Sequence, residues 1–252
     1  MFDFLLGGWR DLIRDTLALI DVLIDSARGL ALAAIGLIVS WFLYVPVHEL
    51  LHVAGCVATG GTVTRLTLAP IYGASLLKRF FPFIEVAAGA AGDRGAAGRL
   101  TGFSTNGSDL CYLATDAAPY LLTVIAGVPL MRWCARRGAG RGGRAFLAGP
   151  AIVIAMAPLI GITGDYFEMG SIIVTSPLDD RFHELRSDDL VAIVSEMSAG
   201  RAPGGGAGHA VVGASLVIGI LLAGWTWRLG GLLARVMDRF PGDDAAPPSR
   251  GA

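Results

Sequence analysis

Two histidines four residues apart are the most chemically suggestive feature of this chain. They occur in the segment His48-Glu49-Leu50-Leu51-His52, an HExxH motif. On an α-helix, this spacing places both imidazoles on one face, where they can bind a single Zn²⁺ ion. A carboxylate beside the first histidine can take a proton from a water that attacks a peptide carbonyl. The segment therefore predicts a hydrolytic zinc site with His48 and His52 as ligands and Glu49 as the general base.

The element that must position this motif is a long apolar helix. The run 29–57 is interrupted by few polar residues and exceeds the ~20 residues that a spanning helix needs. Ionisable groups are costly in lipid, so those of the motif are expected to be functional. The alternative is that His48 and His52 pack against neighbouring helices and that Glu49 is a polar residue of the bundle.

The composition of the whole chain is typical of a membrane protein. It has 252 residues, 54% of them apolar and 16% charged, and its mean hydropathy is +0.60. Such a chain is too apolar for an ordinary soluble domain. The net charge of -1 gives no overall field that would attract nucleic acid. The three cysteines are widely spaced in or beside apolar stretches, which is typical of buried thiols.

The hydropathy pattern predicts an all-α polytopic membrane protein with about four transmembrane helices. Residues 1–28 are expected to form an amphipathic helix, either in the membrane interface or packed on the protein, with its aspartates on the polar face. The membrane core is expected at 29–175, with spans near 29–57, 110–133 and 145–162. This core should be followed by a polar extramembrane loop at 176–209, which contains a short helix near 188–197. A C-terminal transmembrane helix is expected at 210–240 and a disordered tail at 241–252.

A small β element is expected after the first span. Polar and apolar residues alternate from Thr62 to Leu68, which predicts a short strand or hairpin. The Gly- and Ala-rich segment 73–108 is expected to be irregular. No cleavable signal peptide is apparent, so the N-terminus is expected to be retained.

The distribution of basic residues predicts the orientation in the membrane. In a four-span arrangement, twelve of the 20 Lys and Arg residues fall on the side of both termini, and eight fall on the other side. Five of the twelve are arginines of the loop 132–144. Because cytoplasmic loops carry the excess of positive charge, both termini are predicted to be cytoplasmic, in what is expected to be a bacterial inner membrane.

The motif and its surroundings resemble the site-2 protease family of intramembrane zinc metalloproteases. The resemblance is carried by the segment 47–52 at the end of a spanning helix, by Gly60 and Gly61, and by the alternating segment 62–68. It implies a core of three transmembrane helices, with the motif on the first and a zinc-binding aspartate on the third. It spans roughly residues 31–174.

Asp165 is the expected third ligand. A catalytic zinc usually has three protein ligands and one open position. Asp165 follows Gly164 at the end of the third span, and this end should lie beside His52 because the first and third spans should run in the same direction. The local sequence departs from the family, whose aspartate lies in a stretch that ends in Leu-Asp-Gly.

Other assignments of these acidic residues stay open at the level of the sequence. With Glu168 three residues later, Asp165 also fits a helix N-cap within a capping box, which needs no metal. Glu168, Asp116 and His183 are the fallback ligands. Asp116, inside the second span, also fits a hydrogen bond that packs two helices together.

The motif and the resemblance together imply a zinc-dependent endopeptidase that cleaves membrane proteins. Its partners would be one Zn²⁺ per chain, a transmembrane or membrane-associated substrate and the lipid bilayer, with no nucleic acid. The strand at 62–68 is expected to pair with an extended substrate. Two other classes stay open: a non-catalytic zinc-binding regulator or scaffold, and a metal transporter, which the almost wholly apolar fourth span disfavours.

Overall fold

Helices make up most of the fold, as seen in a computed structural model that describes residues 2–87, 98–136, 143–187 and 189–238. The tail predicted to be disordered at 241–252 lies outside the described residues. So does the central part of the arginine-rich loop 132–144. All statements about the fold therefore concern the four described ranges.

Four helical segments of this part of the chain are long and apolar enough to cross a membrane. They are α2 (Ala27–Ala58), the second span (Asp109–Arg136), the third span (Ala145–Thr163) and α9 (Gly205–Met237). The first three agree with the predicted spans to within three residues. The predicted four-span, mainly helical architecture is thus confirmed in its number of long apolar helices.

The fourth long helix begins inside the segment that the sequence predicts to be a polar loop. It starts at Gly205, five residues before the predicted 210. The glycines at 204–208 indicate a linker because glycine disfavours helices. In the structure, Gly208 packs so closely on Pro203 that a Cβ atom would lie 2.1 Å from the Pro203 carbonyl oxygen. This close packing holds the first turn of α9 in place.

The second and third spans are interrupted helices. The second consists of α4 (Asp109–Ala117), a 3-10 turn (Ala118–Tyr120), a π-helical turn (Thr123–Gly127) and α5 (Val128–Arg136). The third consists of α6 (Gly143–Ile160) and a 3-10 turn (Gly161–Thr163), after which α7 (Asp165–Thr175) begins.

A hydrogen bond between these two spans compensates for a proline. Pro158 lacks an amide hydrogen, so it cannot donate to the Ile154 carbonyl one turn earlier in α6. That carbonyl instead accepts a hydrogen bond of 2.7 Å from the Thr123 hydroxyl. The bond satisfies the carbonyl that the proline leaves open and ties the second span to the third.

Helices α2 and α6 run in the same direction, as the sequence predicts. Gly36 near the start of α2 lies against Phe146 near the start of α6, and His48 further along α2 lies beside Asp165, just after the third span. The contact at Gly36 is backbone to backbone, since a Cβ atom there would lie 2.1 Å from the Phe146 oxygen. Small residues of this kind allow membrane helices to approach closely.

Helix α4 crosses the end of α2 in the opposite direction. The Ser108 hydroxyl caps α4 by accepting a hydrogen bond from the Cys111 amide at 3.2 Å. The Cys111 thiol lies 3.6 Å from the Cys56 carbonyl oxygen, and the Thr115 carbonyl lies beside His52. The start of the second span therefore packs on the half of α2 that carries the motif.

The N-terminal helix α1 (Phe2–Ile24) packs against α9 and α5. The ring centroids of Trp9 and Trp227 are 4.5 Å apart, edge to face. Asp15, expected on the polar face, is instead buried and forms an ion pair with the buried Arg132. The helix also exposes a stripe of large apolar residues at helical spacing: Ile13, Leu17, Ile20 and Ile24.

A three-stranded sheet follows α2, and it is larger than the short strand or hairpin expected there. Its strands are β1 (Thr62–Leu68), β2 (Ile84–Val86) and β3 (Gly98–Ser104), in the order β2-β1-β3. β1 pairs in parallel with β2 and antiparallel with β3. Part of the segment 73–108 is therefore regular structure, namely the one-turn helix α3 (Ala74–Leu77) and the strands β2 and β3. Two glycines in β3 weaken its alternating pattern, which is why the sequence gives little sign of it.

The polar segment after α7 forms a small layer around the start of α9. It contains a 3-10 turn (Asp180–Leu185) and α8 (Leu190–Ser198), close to the short helix predicted near 188–197. Apolar side chains of this segment share one cluster with α7 and α9: Phe167, Phe182, Leu185, Ile193, Met197 and Val211. Helix α7 packs along the first half of α9, where Gly170 contacts Ser215.

Candidate metal centre

His48 and His52 face the same side of α2, because they are one helical turn apart. Their Nε2 atoms are 3.2 Å apart. His52 is buried, with 7% of its surface exposed, and His48 is partly buried. The helical register alone is enough to bring these two nitrogen atoms together.

Asp165 joins the two histidines from the other side of the cluster. It is the first residue of α7, directly after the break at Gly164. Its Oδ2 atom lies 3.3 Å from His48 Nε2 and 3.6 Å from His52 Nε2. Because α6 runs parallel to α2, the end of the third span reaches the same level as the motif, and the break turns the aspartate towards it.

The spacing of the three atoms matches the requirements of a metal site. With zinc–ligand distances of about 2.0–2.1 Å, two ligand atoms of a tetrahedral zinc site lie ~3.3 Å apart. The three observed separations are 3.2, 3.3 and 3.6 Å. Within the described ranges, His48, His52 and Asp165 are the one group of three side chains whose donor atoms converge well enough to hold a metal ion.

Hydrogen bonds outside this cluster orient the imidazoles. His52 Nδ1 lies 2.9 Å from the Thr115 carbonyl oxygen. Since a carbonyl only accepts, Nδ1 carries a proton, which leaves Nε2 as the nitrogen whose lone pair can bind a metal. His48 Nδ1 lies 2.8 Å from the Tyr44 hydroxyl, which comes from the preceding turn of α2. Contacts of this kind are characteristic of metal-binding histidines.

Tyr120 positions the Asp165 carboxylate. Its hydroxyl donates a hydrogen bond of 2.7 Å to Asp165 Oδ2. Burial acts to raise the pKa of the Asp165 carboxyl, but the nearby His52 and His48 imidazoles outweigh burial and hold that pKa well below its usual range. The carboxyl is therefore anionic, which is the form that binds a cation. A side chain at Gly161 would collide with the Tyr120 hydroxyl, so glycine makes room for this contact.

Glu49 lies beside the three-residue cluster, between two cavities. The first, of about 260 Å³, is mainly polar and also contains surface from His52, Asp165 and the β3 residues Gly98 and Leu100. A Cβ atom at Gly98 would lie 2.7 Å from Glu49 Cγ, so the start of β3 rests directly on this side chain. The glutamate thus has access both to the cluster and to a space that can hold a polar ligand.

The second cavity, of about 220 Å³, lies on the other side of the cluster. It is lined by the motif residues His48 and Glu49 and by Asp165. Apolar side chains of α2 and α6, such as Trp41 and Ile160, complete the lining. It follows the groove between these two helices. The cluster therefore separates a polar space near the sheet from an apolar space between the spans.

The comparisons with known proteins identify no relative. No protein-family model matches the chain, no curated protein matches it, and no solved structure matches it. The assignment of the candidate site consequently rests on its geometry.

The other acidic residues and histidines named from the sequence lie outside the ligand cluster. Glu168 is buried and accepts a hydrogen bond from the Tyr112 hydroxyl, and Asp116 is buried in the wall of the polar cavity. His183 lies in the 3-10 turn after α7, with its Nδ1 atom 3.7 Å from Asp180. Asp165 is not an N-cap either, because Gly164 occupies that position and no side chain caps α7.

The sequence analysis did not identify the residues that support the ligands. Tyr44 could have been found, because it lies four residues before His48 and so shares its helix face. Tyr120 and the Thr115 carbonyl belong to the second span, and no local pattern connects them to the motif. They reach the site only through the packing of α4 on α2.

Proposed function

We propose that this protein is an integral membrane metalloprotease that binds one Zn²⁺ per chain through His48, His52 and Asp165. The observation that carries the proposal is the convergence of these three donor atoms beside Glu49. Two imidazoles and one carboxylate are a donor set that suits zinc and leaves a fourth position open. The four long apolar helices support a location in a membrane, which we propose to be a bacterial inner membrane with both termini in the cytoplasm.

Hydrolysis requires a water, a proton acceptor and a polarised carbonyl. Zinc at this position would lower the pKa of a water to ~7 and polarise the scissile carbonyl. Glu49 would take the proton of the attacking water and then deliver it to the leaving amine. His52, fixed by the Thr115 carbonyl, and Asp165, fixed by Tyr120, would keep their donor atoms in place through both proton transfers.

The surroundings of the site support a substrate segment that is apolar and extended. The apolar cavity between α2 and α6 suits side chains of a membrane-spanning segment. A helical peptide bond is shielded by its own hydrogen bonds, so such a segment must unwind before it is cleaved. The proposed substrates are therefore transmembrane or membrane-associated proteins.

The strand that would receive an extended substrate differs from the one expected from the sequence. β1 (Thr62–Leu68) is the central strand of the sheet, with β2 on one side and β3 on the other. Within the described residues, β3 pairs only with β1, and Gly98, Leu100 and Phe103 of β3 line the polar cavity. We therefore propose the outer edge of β3 as the place where a substrate strand would pair.

The first experiment measures metal in the purified protein by elemental analysis. The wild type, His48→Ala, His52→Ala and Asp165→Ala are compared in detergent, with His183→Ala as a matched control outside the cluster. We expect about one zinc per chain in the wild type and the control, and a sharp loss in the other three. No zinc in the wild type after reconstitution would refute the proposal.

A second experiment separates an enzyme from a non-catalytic zinc protein. Glu49→Gln should retain zinc and lose cleavage, because the amide keeps the shape but cannot accept the proton. Purified protein is incubated with bacterial inner-membrane vesicles, and new amino termini are identified by mass spectrometry. Glu85→Gln, which replaces the exposed middle residue of β2, is the control. Equal cleavage by the wild type and Glu49→Gln would favour a regulator or scaffold.

A further inference from the structure

A second charged cavity lies between α1, α5 and α9, and we call it the arginine cavity. Its volume is about 260 Å³, and its charged lining consists of Arg14, Arg132, Arg136 and Arg235 with Asp15. Four guanidinium groups around one cavity with a single carboxylate in its lining form an unusual arrangement for apolar helices, and the proposed proteolysis does not use it.

The arginine cavity is far from the metal centre. Arg132 lies seventeen residues along the second span from Thr115, whose carbonyl contacts His52. At 1.5 Å per helical residue, this corresponds to ~25 Å, close to the ~30 Å thickness of the apolar layer of a membrane. The two sites thus lie at opposite ends of the bundle.

Among the described residues of this region, the carboxylates do not balance the positive charge. Asp15 pairs with Arg14 and Arg132, while Asp11 pairs with arginines of α1, α5 and α9. Asp238 pairs with Arg136. The network around Asp11 and Asp15 and the separate Arg136–Asp238 pair together contain five arginines and three aspartates: Arg14, Arg132, Arg136, Arg228, Arg235, Asp11, Asp15 and Asp238. Their net charge of about +2 favours an added anion.

Arg132 contributes a buried donor that has an ion pair but no hydrogen bond. Its side chain is only 4% exposed. Its Nε atom binds Asp15 and its Nη1 atom donates to the Gly231 carbonyl, but the buried Nη2 atom makes no hydrogen bond. The Asp11 carboxylate oxygen is 3.6 Å from Nη2, too far for a hydrogen bond. A buried donor of this kind is costly to leave unsatisfied, and the guanidinium that carries it adds its positive charge to the wall of the cavity.

We propose that the arginine cavity binds a phosphate group. Guanidinium groups match phosphate oxygens in pairs, and basic pockets between helices at the cytoplasmic face bind anionic lipid headgroups. The exposed Ile13 and Leu17 lie beside Arg14 on α1, where lipid chains attached to such a phosphate would find an apolar surface. A phospholipid headgroup, whose involvement rests on the proposed membrane location, and free inorganic phosphate are the two sources of this chemistry.

The experiment measures binding of defined probes to the purified full-length protein in detergent. Dioleoyl-phosphatidylglycerol and dioleoyl-phosphatidylcholine are titrated in mixed micelles, and bound lipid is counted by native mass spectrometry. Inorganic phosphate is titrated separately, and its effect on Tm is recorded. The test variant is Arg136→Gln/Arg235→Gln, because both side chains are partly exposed and their replacement leaves buried Arg132 in place. The control is Arg10→Gln/Arg28→Gln, which removes two exposed arginines outside the cavity.

We expect phosphatidylglycerol to bind the wild type and the control more tightly than phosphatidylcholine. The test variant should lose about thirtyfold in affinity, because each arginine contributes ~1 kcal/mol near an anionic headgroup. A rise in Tm with inorganic phosphate alone, absent in the test variant, would support the site with free phosphate as its ligand. Equal binding of every probe by the wild type and the test variant would overturn the proposal. Zinc content should be the same in all variants, so the result is independent of the proposed protease activity.

Discussion

At the scale of single residues, the site depends on groups that never touch the metal position. His52 has one possible tautomer because its Nδ1 atom must donate to the Thr115 carbonyl. Asp165 accepts a hydrogen bond of 2.7 Å from the Tyr120 hydroxyl. The Tyr120 ring packs at a tilt against Tyr166, whose hydroxyl forms a hydrogen bond with the Thr226 hydroxyl of α9. Ligand geometry is therefore supported by the second span, α7 and α9.

Removing the Tyr120 hydroxyl should weaken metal binding without removing a ligand. Tyr120→Phe keeps the ring contact with Tyr166 but loses the hydrogen bond to Asp165. Loss of an outer contact to a metal ligand typically costs 10–100-fold in affinity, so we expect zinc affinity to fall by about tenfold or more. Competition with a chelator measures the zinc affinity of each variant. Tyr72→Phe is the control, since Tyr72 packs on Phe42 outside the site. Equal affinity in both variants would contradict this role for Tyr120.

At the scale of elements, the contact between α2 and α6 decides whether the site forms. α2 carries both histidines, and α6 leads directly to Asp165. The two helices touch through backbone at Gly36 and Gly149, where Cβ atoms would lie 2.1 Å from Phe146 O and Leu37 N. Any separation of α2 from α6 would also move the third ligand away from the first two.

A methyl group at this contact should therefore destabilise the fold. We expect Gly36→Ala to lower the free energy of unfolding by about 1–3 kcal/mol, because the added carbon overlaps the Phe146 carbonyl. Thermal unfolding in detergent measures the change. Gly213→Ala is a matched control in α9, where a Cβ atom would meet nothing within 4 Å. That variant should be neutral or slightly stabilised, since alanine favours helix. If Gly36→Ala behaved like its control, the close approach would not limit stability.

At the scale of the whole molecule, the two ends of the bundle have different chemistry. One end carries the sheet, the polar cavity and the metal cluster, and the other carries the arginine cavity. The excess of arginine at the second end predicts that it faces the cytoplasm, so the metal centre should open towards the opposite face.

Single exposed cysteines can test this orientation. Arg79→Cys lies near the sheet and Arg28→Cys lies at the start of α2, and both positions are exposed. In intact cells, a membrane-impermeant maleimide should label Arg79→Cys and should label Arg28→Cys only after permeabilisation. The three natural cysteines are buried and serve as an unlabelled background in the folded wild type. The reverse pattern would place the metal centre on the cytoplasmic side.

The sequence by itself determined the features that depend on local spacing. One helical turn brings His48 and His52 together and places Glu49 beside them, and the long apolar runs give the four long helices. Only the tertiary structure decided which acidic side chain joins the histidines: Asp165 reaches them, whereas Glu168, on the same helix, turns to Tyr112. It also decided the role of Tyr120, the strand β3 and the pairing of Asp15 with Arg132. These features depend on contacts between residues far apart in the chain, and such contacts follow from helix direction and packing, which leave no periodic trace in the sequence.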